Sequence, residues 1–314
     1  MDKSYLTYPK RAYGQDHNFY GWQMAKDRPK LQWENDAKVA ICLIVPLEFF
    51  PLNPSGVPFK HPGAMKTPYP DLRHFTVRDY GNRVGVYRIL EALQDSKASF
   101  AVNGEIAKRY PPLLKTVKSQ GHEIIAHGLS TDHIHHEGLI WEEEVRLVNR
   151  ALDCFNDLPR GWTGTDTDHQ ERQIKGWMSP ARKQSSRTLS VIRDEDIEYC
   201  LDWEPDQVPI LSKTPVGPIT LIPNSYELSD FTLLHTRGQT EESWLAQIKS
   251  AIDLLLEEHD RFGSQMLGLT LTPYVIGQPF RIWALRALLA HIKDMDGVEV
   301  FTTGQIDQQF RAQI

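Results

Sequence analysis

The polar residues of this 314-residue chain that are suited to chemistry stand where its apolar runs end. Glu48 follows the nearly continuous apolar run Lys38–Leu47 (KVAICLIVPL). Asn103 follows Ala98–Val102, and His127 follows His122–Ala126 (HEIIA). His127 also opens the densest histidine tract, H-G-L-S-T-D-H-I-H-H, which includes His133, His135 and His136. Arg182 comes after Gly176-Trp177-Met178, and Asp202-Trp203 after Tyr199-Cys200-Leu201. A carboxylate, an imidazole, a guanidinium and a second acid are the groups that acid–base hydrolysis uses. Each also has a plainer reading. Glu48 can be a salt-bridged loop residue, the histidine tract a polar surface loop, and Arg182 one half of a structural ion pair. Arg182 can instead fix a carboxylate or a polarised carbonyl by bidentate hydrogen bonds. Asp202 is then expected to orient Arg182 or His127. The H-I-H-H tract can in principle bind zinc, but one tract rarely supplies a closed ligand set.

What must position these groups is a sheet. An apolar, β-branched run such as Lys38–Leu47 reads as a parallel strand buried on both faces. Further strands are expected at Ala98–Val102, His122–Ala126, Gly176–Met178, Tyr199–Asp202, Ile219–Ile222, Met266–Leu271 and Val298–Phe301. Helices are expected over Asn82–Asp95, Glu105–Gln120, Trp141–Asn156, Arg187–Arg193, Glu241–Asp260, Pro279–Asp294 and Thr303–Arg311. The β-α alternation argues for a parallel sheet, open or closed, with the site at the C-terminal ends of its strands. Residues 1–37 are aromatic and aperiodic and read as an arm wrapping a single barrel domain, 38–314. The proline-punctuated stretch Phe50–Arg78 and the polar stretch Leu158–Ile174 read as loops placed to roof the site. Trp22, Phe50, Trp177 or Trp203 is expected to line the pocket beneath.

Composition narrows the classes. The net charge of −6 comes without a basic run, so nucleic acid and anionic membranes are not expected partners. Three cysteines, Cys42, Cys154 and Cys200, form no C-x-x-C pair, and a disulfide framework is not expected. The first residues carry no apolar signal segment, and a cytoplasmic location is expected. G-x-S-x-G, Walker and G-x-G-x-x-G motifs are absent, which argues against serine hydrolases, NTPases and dinucleotide enzymes.

Taken in order, Arg78–Arg88 (RDYGNRVGVYR), Gly121–His127 (GHEIIAH), Gly176–Pro180, Tyr199–Trp203 and Ile276–Arg281 (IGQPFR) resemble the polysaccharide deacetylase superfamily. The Y-G-N-R-V-G and I-G-Q-P-F-R elements look most like its cofactor-independent allantoinase and cyclic-imide-hydrolase branch. The resemblance implies a distorted (β/α) barrel. In metal-dependent members two acids end the first strand, base then ligand, and an H-x-x-x-H pair supplies the other ligands. Here those positions read Glu48-Phe49 and His127…Thr131, leaving one ligand of three. The family's late catalytic histidine falls on Thr272. The resemblance also implies a homodimer or homotetramer.

The leading expectation is therefore a hydrolase of a C–N bond in a small amide, cyclic imide or ureide, with no metal cofactor. Glu48 activates water, His127 orients it, and Asp202 supports the site. Asn103, Arg182, Trp203 and His133 bind substrate. Two alternatives stand beside it: a zinc-dependent deacetylase using His127, His133 and His135, and a catalytically degenerate binding protein.

Overall fold

The structure, a computed structural model, describes Gln15 and residues 17–56, 68–156 and 174–314. The expected loop Leu158–Ile174 lies outside these residues except for Ile174, as does the middle of the Phe50–Arg78 stretch.

Strand β1 (Val39–Leu47) is buried along its whole length. Its alternate residues serve two cores, which is why its sequence is apolar without a break. Val39, Ile41, Leu43, Val45 and Leu47 join the layer between sheet and helices. Ala40, Cys42 and Ile44 face the lumen, with Ala101, Ile125, Met178 and Leu201. Strands β2 (Ser99–Val102), β3 (Glu123–Ala126), β4 (Gly176–Trp177) and β5 (Tyr199–Cys200) follow outward from β1. Beyond β5 lie β7 (Pro218–Leu221) and the antiparallel edge strand β6 (Ile210–Lys213). On β1's other side runs β8 (Gln265–Thr270), and β9 (Val298–Val300) pairs with the start of β1. All pairings but β6–β7 are parallel. The sheet curls until Ser225, beyond β7, bridges Leu269 of β8, so it forms a distorted partial barrel. Leu31 and Trp33 of the arm, with Phe301, Ile306 and Phe310, extend the lumen core.

The helices are α1 (Leu72–Tyr80), α2 (Val86–Leu93), α3 (Gly104–Arg109), α4 (Pro111–Ser119), α5 (Trp141–Asn156), α6 (Thr188–Asp194), α7 (Glu241–Phe262), α8 (Ile282–Lys293) and α9 (Thr303–Arg311). Most match the expected spans to within a few residues, and three differences have physical causes. The expected helix at Asn82 begins ten residues earlier, at Leu72, where the Asp71 side chain accepts from the His74 amide. The buried residues of α1 are His74 and Arg78, so it carries no apolar stripe to read. The helix expected over Glu105–Gln120 breaks at Tyr110, because Pro111 and Pro112 start a new one. Strand β6 is short and only partly buried, and its Lys213 amide donates to Phe19 of the arm. Among the described residues no helix is long and apolar enough to cross a membrane.

The two motif segments Y-G-N-R-V-G and I-G-Q-P-F-R turn out to be halves of one contact. A π-helical turn, Gly81–Gly85, joins α1 to α2 and presses on the loop after β8. A Cβ on Gly85 would stand 2.0 Å from the Pro273 carbonyl oxygen, and one on Gly277 would stand 2.6 Å from Gly85 Cα. Arg88 Nη1 donates to the Gly277 carbonyl at 3.0 Å. The glycines let two backbones approach where any side chain would separate them. Gly85→Ala should therefore lower stability by roughly 1–3 kcal/mol, as overpacking does. Gly21→Ala, with nothing within 4 Å of the added Cβ, should change little. Thermal melts followed by circular dichroism compare the two, and equal midpoints would contradict the close contact.

Candidate active site

Parallel pairing brings the strand ends together in register. The β1–β2 ladder sets Leu47 beside Val102, and the β2–β3 ladder sets Val102 beside Ala126, so Glu48, Asn103 and His127 emerge side by side. Asn103 is fully buried and uses both ends of its amide. Its Oδ1 accepts from Phe49 N at 2.8 Å, and its Nδ2 donates to the His127 carbonyl. It ties β1 to β3 and does not line the cleft. Where a substrate role was expected for Asn103, its amide instead ties backbone to backbone, outside the cleft lining.

Glu48 and His127 face each other across the cleft floor. Glu48 Oε1 lies 3.7 Å from His127 Nε2. The His127 Nδ1 meets the Met178 carbonyl at 2.8 Å. A carbonyl only accepts, so Nδ1 carries the proton and the lone pair of neutral His127 sits on Nε2, toward Glu48. Tyr274 donates its hydroxyl to Glu48 Oε2 at 3.2 Å, and Asn82 Nδ2 donates to the Glu48 carbonyl at 2.8 Å. Burial, then the Glu48 charge, push the Tyr274 phenol well above its ordinary value, so it stays a donor at neutral pH. Behind its ring lies the buried Arg78, its guanidinium 4.7 Å from the Phe50 ring centre and 5.2 Å from that of Tyr274.

The cleft is small, about 140 Å³, below the ~300–1,000 Å³ of pockets that take drug-sized ligands. Its aromatic wall is Tyr226, Phe231 and Tyr274. The four aromatics expected there lie elsewhere. Trp22 is two-thirds exposed on the arm, and Trp177 is buried edge-on to His135. Phe50 packs under Arg78, and Trp203 packs on Phe19 and Tyr20, its Nε1 donating to Gln184 Oε1 at 2.7 Å.

Asp202 also has a different task from the one expected. It reaches neither Arg182 nor His127 with a hydrogen bond. Its carboxylate accepts from the Ser179 amide at 2.9 and 3.1 Å and from the Gln184 amide group, clamping the turn after β4. That turn carries Arg182 into the cleft wall. Asp230, which nothing in the sequence pattern singled out, anchors the opposite wall. It is fully buried and accepts from Thr272 N at 2.8 Å, Thr272 Oγ1 at 2.9 Å and Ile276 N at 3.2 Å. Burial pushes its carboxyl up to about 7 against these hydrogen bonds.

The remaining histidines do not gather round His127. His133 Nδ1 lies 2.7 Å from Ser130 Oγ and 3.2 Å from Asp132 Oδ1, and His133 does not line the cleft. The substrate role expected for His133 thus has no support in its position. His135 Nδ1 meets Glu144 Oε1 at 3.0 Å in a buried pair. Glu144 also accepts from Ser185 Oγ and Thr188 Oγ1, so this cluster fastens the loop to α5 and α6. Among the described residues, no three His, Cys, Asp or Glu side chains are grouped to hold a metal. The metal set implied by the family does not fit here. Phe49 lies under the Arg109 guanidinium at 4.7 Å, and Thr131 Oγ1 donates to the Phe49 carbonyl at 2.9 Å. His127, His133 and His135, the alternative set, form no such group among the described residues either.

No protein-family model matches the chain. It is similar to a presumptive polysaccharide deacetylase from Schizosaccharomyces pombe, 23% identical over 302 residues, which span 89% of this chain and 92% of that one. Its structure is similar to that of PuuE allantoinase, with a TM-score of 0.77 at 21% identity, covering 91% of this chain and 94% of the other. It is equally similar to a probable polysaccharide deacetylase from Pseudomonas aeruginosa PAO1, with a TM-score of 0.77, 21% identity and 91% and 95% coverage. The chain has the polysaccharide-deacetylase-like fold, as its motifs implied, and an allantoinase is among the structures that share it.

Two outcomes are expected. Elemental analysis of purified protein should find no stoichiometric zinc, and a chelator should leave its properties unchanged. About one tightly held metal per chain would contradict the donor geometry. Asp230 sets a pH dependence. Its folded value of about 7 lies above the unfolded value of 3.8. Between these the folded chain holds a proton that the unfolded chain has released, so stability falls as pH rises through that window. One proton of difference costs on the order of 1.4 kcal/mol for each pH step of one across the window. Asp230→Asn cannot ionise and should flatten the slope in denaturant melts between pH 4 and 8, while a parallel slope would exclude Asp230 as its source.

Proposed function

We propose that this polysaccharide-deacetylase-like chain hydrolyses a C–N bond in a small amide, cyclic imide or ureide, using its own side chains in place of a metal. The observation that carries the reading is the facing pair at the cleft floor. Glu48 Oε1 and His127 Nε2, 3.7 Å apart, are too far for a good direct hydrogen bond and well placed to share a water. One water O–H would point to Glu48 and the other to the Nε2 lone pair, leaving the oxygen's own lone pair for a carbonyl carbon.

The proposed sequence balances with these groups alone. Glu48 takes a proton as water adds to the carbonyl. The neutralised carboxyl is then a weaker acceptor, so the Tyr274 hydroxyl can turn to the developing oxyanion. Glu48 next gives its proton to the leaving nitrogen as the C–N bond breaks, and the product is a carboxylic acid that ionises. Arg182, in the cleft wall, anchors the substrate. A cyclic imide is an activated acyl group, so it needs less polarisation than a sugar acetamide. The small described cleft supports a compact ring over a polymer.

Glu48→Gln should keep the fold and lower kcat/KM by about 10² or more. The substrate screen sets succinimide- and hydantoin-type rings against N-acetylglucosamine oligomers. Ring opening, with the oligomers untouched and Glu48→Gln inactive, is the expected result. Acetate release from the oligomers alone would place the activity with the deacetylases, and silence on both panels would favour a binding role.

A further inference from the structure

The turn that carries Arg182 is held in an unusual shape. Ala181 and Arg182 both have left-handed backbones, with φ of 54° and 53°. Neither is glycine, and two such residues in succession are disfavoured sterically. The surroundings nevertheless fix the shape from three sides. Arg182 N donates to Ser179 O at 2.8 Å, and Lys183 N donates to Pro180 O at 3.1 Å. Asp202 holds Ser179 and Gln184, and Trp203 holds Gln184 in turn. On the near side, Pro180 sits against Gly128 so closely that a Cβ there would lie 2.5 Å from Pro180 Cγ. A strained segment fixed this thoroughly at a cleft points to a task for the side chain it presents.

The guanidinium it presents is largely enclosed, with 19% of the side chain exposed. It forms a long ion pair with Glu204 at 3.8 Å, beyond hydrogen-bond reach, and that acid also accepts from Tyr226 N at 2.8 Å. Among the described residues the Arg182 guanidinium donates no hydrogen bond. Four of the cleft's hydroxyls, on Ser229, Thr270, Thr272 and Tyr274, donate within the protein, and Thr232 Oγ1 accepts from Ser229, so Arg182 is the cationic donor left to the cleft among the described residues. A half-buried fork of donors facing a small cleft matches a planar anion accepting two of them at once.

We infer that Arg182 is a specificity residue, and that the natural substrate is a small amide or cyclic ureide bearing a carboxylate, which Arg182 binds apart from the scissile carbonyl. This deepens the hydrolase reading and rests on it for the rest of the ligand. The carboxylate would sit at Arg182, leaving the carbonyl to Glu48, His127 and Tyr274. Asp202, Gln184 and Trp203 act through the turn and do not touch substrate.

Two rings of matched size test this, hydantoin-5-acetate and the neutral 5-isobutylhydantoin. Isothermal titration of the whole chain measures their affinities, with ring opening followed in parallel. The carboxylate ring should bind at least roughly tenfold more tightly, as a charge-assisted pair allows. Arg182→Asn tolerates the left-handed backbone and should lose that preference. Arg182→Lys keeps the charge without the fork and should retain only part of it. Equal affinities for the two rings, or a preference that survives in Arg182→Asn, would overturn the inference. Selective binding of the carboxylate ring without ring opening would keep Arg182's role and remove the hydrolase reading. Opening of both rings with equal affinity would do the reverse.

Discussion

A single buried carboxamide fixes the geometry on which the site depends. Asn103 stands at the end of β2, between the two strands that carry Glu48 and His127. It accepts from the amide after Glu48 and donates to the carbonyl of His127 itself. The amide's two ends cannot exchange roles, so each strand end is held in one orientation. A carboxylate or imidazole left to a flexible loop would wander by more than hydrolysis tolerates. Removing this amide would leave a backbone donor and a backbone acceptor without partners in a dry layer, which costs more than the bonds gain.

The same pattern explains which parts of the molecule were legible in the sequence. The strands were, because burial on both faces leaves an apolar run whose end marks a site residue. Glu48, His127 and Arg182 were picked out that way, and the structure places all three at the cleft. The tasks of Asn103 and Asp202 were not legible. Both are polar residues at strand ends, and a sequence does not say whether a side chain turns into the cleft or back into the backbone. Asp230 was missed because it follows no apolar run of its own, and Tyr274, three residues past Met266–Leu271, because a buried tyrosine there reads as core; their value comes from what the loop after β8 packs against. Helix α1 was missed for the opposite reason, since it buries His74 and Arg78 and so shows no apolar periodicity. The glycine motifs were noticed as a resemblance, but their meeting at Gly85 and Gly277 exists only in three dimensions.

Buried charge is held by the same kind of bonding. Glu144 and His135 are fully enclosed, yet each carboxylate oxygen of Glu144 has a donor, from His135, Ser185 or Thr188, and the Arg187 guanidinium stands 3.7 Å away as an ion-pair partner. A buried acid satisfied this completely is tolerable and rigid. Asp132 is treated likewise: hydrogen bonds from His133, Ser130 and Ser55 hold its carboxyl well below the usual range despite burial. These two clusters fix the histidine-rich loop by hydrogen bonding. They account for histidines that, read by composition, suggested a metal.

The substitutions at the family's ligand positions also follow one physical rule. Where the resemblance implies a histidine ligand, Thr131 turns its hydroxyl to the Phe49 carbonyl. Where it implies a late histidine, Thr272 turns its hydroxyl to Asp230. Both threonines are almost fully buried, and both have converted a position facing a ligand into a tie within the scaffold. An unpaired histidine at either place would leave a polar nitrogen to desolvate, whereas threonine is short enough to reach the nearest acceptor. The replacements therefore do not leave holes in the site. They leave a tight frame in which Glu48, His127, Tyr274 and Arg182 remain directed at the cleft.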